Sequence, residues 1–269
     1  MATSSNPAFK NAAFGNGGSK ATTTPSMSVE QLDELYGRPA AGPSDTNRMS
    51  YEDTIVKTAV AFGILLVGAA IGWFIPILAI PAAIAGFVLA LVNTFKKRPS
   101  PALILIYAAL EGVFVGGLSF IFESIWEGVA IQAVLATLSV FAVTLVLFAN
   151  GKIRASKKAT KVFMIAAGGY LVFSLVNAGL MIFGATDTMF GLRGTEIGNT
   201  GISLGFVLGI LAILMAAYSL VLDFDFVQRG VRGGLDRVFG WQAAFGLVTT
   251  VVWLYIEMIR LIAILRGSE

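Results

Sequence analysis

Val251-Val252-Trp253-Leu254-Tyr255-Ile256-Glu257-Met258-Ile259-Arg260-Leu261-Ile262 is the middle of an apolar segment, Trp241 to Arg266, with only Glu257 and Arg260 charged before its last residue. A bilayer core is crossed by about 20 such residues, so the segment reads as a membrane-spanning helix. A carboxylate within it costs roughly 2.5–3.5 kcal/mol at the bilayer centre, so Glu257 must face protein or water. Arg260, one turn later, offers a local partner, and a purely architectural Glu257–Arg260 pair is one reading of the stretch. The preceding apolar run ends in Ser219-Leu220-Val221-Leu222-Asp223-Phe224-Asp225-Phe226 and brings two more acids to the membrane boundary. Asp223 shares a helical face with Ser219; Asp225 points elsewhere.

Working outward, hydrophobic residues make up 56% of the 269 positions and charged residues 13%, with a mean hydropathy of +0.80. That places the chain among polytopic, all-α membrane proteins. Seven spans are expected, at about 54–74, 77–95, 101–123, 128–149, 162–184, 201–224 and 241–265. Pro76 and Pro81 divide the first apolar stretch, too long for one helix, into a hairpin. The first apolar run starts only near Thr54 and reads as an anchor, not a cleaved leader. Residues 1–50 are expected to be a disordered cytoplasmic tail, with a short helical island over Ser28 to Tyr36, and 51–269 to form the membrane domain.

Fifteen Lys and Arg fall on one side of this arrangement, and Arg193 and Arg266 on the other. The positive-inside rule then sets the N-terminus in the cytoplasm and the C-terminus outside. These short basic clusters are topology signals, and the net charge of +3 does not indicate a nucleic-acid partner. The outer acids Glu123, Glu127, Asp187 and Glu196 read as solvated loop residues. Glycines four apart, Gly68/Gly72, Gly112/Gly116 and Gly201/Gly205/Gly209, let helices approach closely, and packing within one chain is expected rather than an oligomer.

Cys and His are both absent, which excludes disulfides, thiolate chemistry and a His-Glu-x-x-His zinc site. No nucleotide-binding glycine loop is present either, and no enzyme activity or cofactor is expected. Any response to pH near neutrality must come from buried carboxylates. The candidates are Asp223, Glu257, Asp225 and Glu111, the last near the centre of its span with Tyr107 one turn before it. Arg260 and Ser219 stand as supporting residues.

Several stretches together resemble the Bax inhibitor / YccA family, the transmembrane Bax-inhibitor-motif proteins, and are most similar to its actinobacterial members. They are Asn6-Pro7-Ala8-Phe9 with Asn11-Ala12-Ala13-Phe14, Ser100-Pro101 followed by Tyr107-Ala108-Ala109-Leu110-Glu111-Gly112, Asp223-Phe224-Asp225-Phe226, and Trp241-Gln242-Ala243-Ala244-Phe245-Gly246-Leu247 running into Trp253-Leu254-Tyr255-Ile256-Glu257. The resemblance implies a seven-helix bundle with the last helix surrounded by the others, in a bacterial inner membrane. It implies a pH-sensitive calcium leak or exchanger in which a last-helix acid, matched by Glu257, pairs with one on the helix before it, matched by Asp223 or Asp225. Asp223 and Glu257 would then contact calcium in passage. Here 34 positions separate them, longer than the family's usual interval, and a surface helix over Gln228 to Phe239 could restore the register. The resemblance also implies an alternative, a non-transporting modulator of a membrane AAA protease.

Overall fold

The computed structural model describes residues 28, 47–186, 188–198 and 200–267. The described helices fall within Pro43–Glu269; Met1–Gly42, apart from Ser28, lies outside the described residues, and with it the tail and the helical island. Among the described residues seven helices, the second counted with the 3-10 turn before it, are long and apolar enough to cross a membrane. In chain order they are α1 Tyr51–Phe74, α2 Ala79–Phe95, α3 Pro101–Ile125, α4 Val129–Ala149, α5 Lys157–Ile182, α6 Leu204–Arg232 and α7 Phe239–Arg266, with short 3-10 turns at Pro76–Leu78 and Gly191–Gly194.

The expected hairpin split is present. Pro76 opens the 3-10 turn, and Pro81 falls in the first turn of α2, where a missing N–H breaks no helical bond. Ser50, Ser156 and Ser203 cap α1, α5 and α6 with their side chains. At α4 that service comes from Glu123, whose two oxygens accept from Gly128 N (2.6 Å) and Ala130 N (2.9 Å). Glu123 is therefore a cap, not the solvated loop acid expected.

Two boundaries shift. Met49 is 2% exposed and its N–H donates to Leu235 O, so ordered contacts begin before residue 51. The segment after Asp223 forms no separate surface helix: α6 runs on to Arg232, and Gly233-Gly234 ends it before α7 begins at Phe239. Glycine with positive φ at Gly234 is the expected way to close such a helix.

Helix α7 is the most buried of the seven, with small residues such as Ala243 and Ala244 and large ones such as Leu254 and Ile259 inside, and packs against α1, α3, α4 and α6. One stripe, through Thr249, Trp253, Ile256 and Arg260, is only partly covered. A helix buried over most of its circumference belongs at the centre of a bundle. Helix α5 is the opposite case. Only Asn177 is buried along it, and its packing partners are α6 and the Gly191–Gly194 turn. The glycine pairs of α1 and α3 do meet: a Cβ on Gly116 would stand 1.9 Å from Ala69 O, and one on Gly112 2.1 Å from Leu65 O. In the Gly201/Gly205/Gly209 set, Gly205 and Gly209 face Ile264 and Leu261 of α7, while Gly201 precedes the helix with φ +71.

Candidate functional site

A cluster of polar groups surrounds Glu257, which is 2% exposed. Arg260, one turn on, donates from Nη1 to both carboxylate oxygens at 2.8 Å. Tyr170 of α5 donates its hydroxyl to Oε1 at 2.5 Å. The fourth member comes from a loop. Arg193, in the 3-10 turn between α5 and α6, is 4% exposed and places Nη1 3.5 Å from Glu257 Oε2. Its Nη2 donates to Tyr170 Oη (2.7 Å) and Ser174 Oγ (3.0 Å), and its guanidinium lies against the Tyr170 and Phe173 rings.

The loop is held in by Asn177. Its Oδ1 accepts from Leu192 N at 2.6 Å and its Nδ2 donates to Phe190 O at 3.2 Å. Gly191 makes this possible: it has φ +62, and a Cβ there would lie 2.4 Å from Asn177 Oδ1. Asn177→Ala should therefore cost about 1–3 kcal/mol locally, as buried backbone groups lose their partners. The check is hydrogen exchange, which should rise in Phe190 to Thr195 while the amides of α7 stay protected.

One carboxylate shared by two permanently charged guanidiniums leaves a net positive charge inside the bundle. Such a cluster opposes a cation at that level. It also ties three parts of the chain together: α5, the α5–α6 loop and α7.

Asp223 lies elsewhere. Its Oδ2 accepts from Thr250 Oγ1 at 2.6 Å, Thr250 in turn contacts Ser219 Oγ at 3.2 Å, and a Cβ on Gly246 would stand 2.8 Å from Asp223 Oδ1. Gly246 and Thr250, four apart on α7, thus form the seat for this acid. Thr250 is seven residues before Glu257, about 10 Å along the helix axis. The expected Asp223–Glu257 carboxylate pair is accordingly not formed. The reason is the register: Asp223 is nine residues from the end of α6, Glu257 eighteen from the start of α7. Asp225 pairs with Arg229 at 2.7 Å, and its partner is largely exposed. Glu111, half-buried, sits beside Tyr107 and faces Gly86 of α2. Tyr107 itself bonds Thr249 at 3.0 Å. Of the expected residues, Glu257 meets Arg260 and Asp223 meets the seat containing Ser219, but the four acids do not converge. Among the described residues no three acids gather to hold a metal ion, and Asp223 and Glu257 belong to separate sites.

The sequence reading missed Arg193, Tyr170, Ser174 and Asn177. A signal was available: Tyr170, Ser174 and Asn177 recur at i, i+4 and i+7, a polar stripe on an otherwise apolar span. Arg193 had none, being one of two basic residues assigned to the far side.

A seven-span bundle with a buried last helix carrying Glu257 agrees with the comparison to known families, in which the model for Bax inhibitor 1 like proteins matches residues 6–267. The chain belongs to that family. No curated protein matches it significantly. Membership covers nearly the whole chain, so the Glu257 cluster is part of a Bax inhibitor 1 like membrane domain and not an appended module. Within that domain Glu257 is the last-helix acid, and its guanidinium partners come from Arg260 and the inserted loop.

Proposed function

We propose that this membrane protein is a pH-sensitive cation leak, calcium being the ion, with the Glu257 cluster as the element that holds it closed. The observation that carries the reading is the buried Glu257 carboxylate shared between Arg260 of its own helix and Arg193 of a loop folded into the bundle. The one negative charge of Glu257 is what holds the two guanidiniums together. Without it Arg193 and Arg260 would repel each other in a medium of low dielectric, and the loop with α5 is the part free to yield, because α5 is scarcely packed. Sensitivity to pH rests on the family resemblance, and the chain has no histidine to supply it. With Arg193 withdrawn, the oxygens of Asp223, Thr250, Ser219 and Glu111 are the hard ligands that a calcium ion could meet in passage. Calcium as the ion rests on the family resemblance. The basic clusters support a cytoplasmic N-terminus, and placement in a bacterial inner membrane rests on the family resemblance.

The test is calcium uptake into liposomes that contain only this protein. Uptake should exceed that of protein-free liposomes and change with pH between neutral and mildly acidic. Absence of uptake at any pH would remove the leak and favour the alternative, a modulator of a membrane-bound protease.

A further inference from the structure

We infer that the groove between α1 and α4 is a binding site for one anionic phospholipid, with its headgroup at the basic end of the bundle and an acyl chain lying inward. The groove holds about 690 Å³, is floored by α6 and α7, and is walled almost wholly by apolar atoms. That volume is in the range of sites for small ligands. It is distinct from the Glu257 cluster and does not depend on the leak.

Three observations choose the occupant. The first is length. The groove follows α1 from Tyr51 to Phe62, eleven residues or about 16 Å, comparable with half of a hydrocarbon core of about 30 Å. The second is a polarity gradient along it. Tyr51 and Gln228 stand at the basic end, and Phe62 and Phe141 lie deeper. The third is charge. Phe148, in the wall, carries the Arg154 guanidinium 4.5 Å from its ring centroid, and Arg154 and Lys152 are exposed just past the end of α4. Positive charge at the interface beside a chain-shaped groove complements a phosphate headgroup, with a contribution of about 1 kcal/mol per basic residue near an anionic surface.

The experiment places the full-length protein in nanodiscs of mixed phosphatidylglycerol and phosphatidylcholine, one lipid at a time bearing a diazirine on its acyl chain, and maps the cross-linked peptides. Phosphatidylglycerol should label the groove faces of α1 and α4 at least fivefold above the outer face of α5. Ala59→Trp, which fills the open groove, should reduce that labelling about tenfold at an unchanged melting temperature. Lys152→Gln with Arg154→Gln should bring phosphatidylglycerol and phosphatidylcholine to equal labelling. Labelling spread evenly over all outer helix faces and insensitive to Ala59→Trp would overturn the site and reduce the groove to ordinary boundary lipid. Cross-linked dimers joined through the groove would overturn it in favour of a second copy of the chain. Preferential labelling by phosphatidylcholine would contradict the anionic headgroup.

Discussion

Replacement of Glu257 by Leu is expected to destabilise the folded protein by about 3–5 kcal/mol, because it leaves the buried Arg193 and the half-buried Arg260 without a counter-charge. Replacement of Arg193 by Leu should cost much less. Glu257 keeps Arg260, and the losses reduce to the bonds with Tyr170 and Ser174, about 1 kcal/mol each. The asymmetry follows from counting charges: one change strands two positive groups, the other leaves a neutral pair. The double variant should then be more stable than Glu257→Leu alone, a non-additivity characteristic of groups acting as one unit. Denaturation in detergent, followed by helix content, measures all three. Additive losses would mean that Arg193 and Glu257 do not act on each other.

The second large effect lies at the α1–α3 crossing. Gly116→Leu should prevent native packing of these helices, since even a Cβ would approach Ala69 O to 1.9 Å, and backbone on both sides leaves no flexible side chain to give way. Overpacking of this kind costs about 1–3 kcal/mol for a few atoms and more where backbone must move. Gly168→Leu on α5 is the control, as nothing lies within 4 Å of its Cβ position. Yield of monodisperse protein should fall sharply for the first and stay unchanged for the second. Equal yields would show that the close crossing is not needed.

The contrast between these glycines marks what could be read from residues alone. Spacing of four identified pairs able to pack, and the pairs on α1 and α3 do pack, but Gly168 and Gly169 sit in apolar sequence with open space beside them. Helix ends were legible where Pro76, Pro101 or Asn150-Gly151 punctuated the pattern. They were misread after Asp223, because Asp225 and Arg229 signal departure from the membrane without signalling the end of a helix. Only Gly233-Gly234 does that. Glu257 was legible as a buried acid because an apolar run around a carboxylate demands a partner. The identity of that partner was only half legible. Arg260 follows from helical spacing, whereas Arg193 depends on a loop returning into the bundle, and periodicity carries no information about such a contact. The 34-residue interval did foretell that Asp223 and Glu257 need not share a level. Once α6 continued past Asp223 by nine residues and α7 reached Glu257 only after eighteen, the two acids were separated by about two turns.

Calcium uptake at neutral pH by Arg193→Gln, in liposomes containing the purified variant alone, tests whether the pairing of Arg193 with Glu257 holds the bundle closed. The substitution keeps the polar contacts of the loop partly available and leaves Glu257 neutralised by Arg260, so the protein should remain folded. With the inserted positive charge gone, uptake at neutral pH should be several-fold above wild type. Uptake that matches wild type would contradict a closing role for the pair.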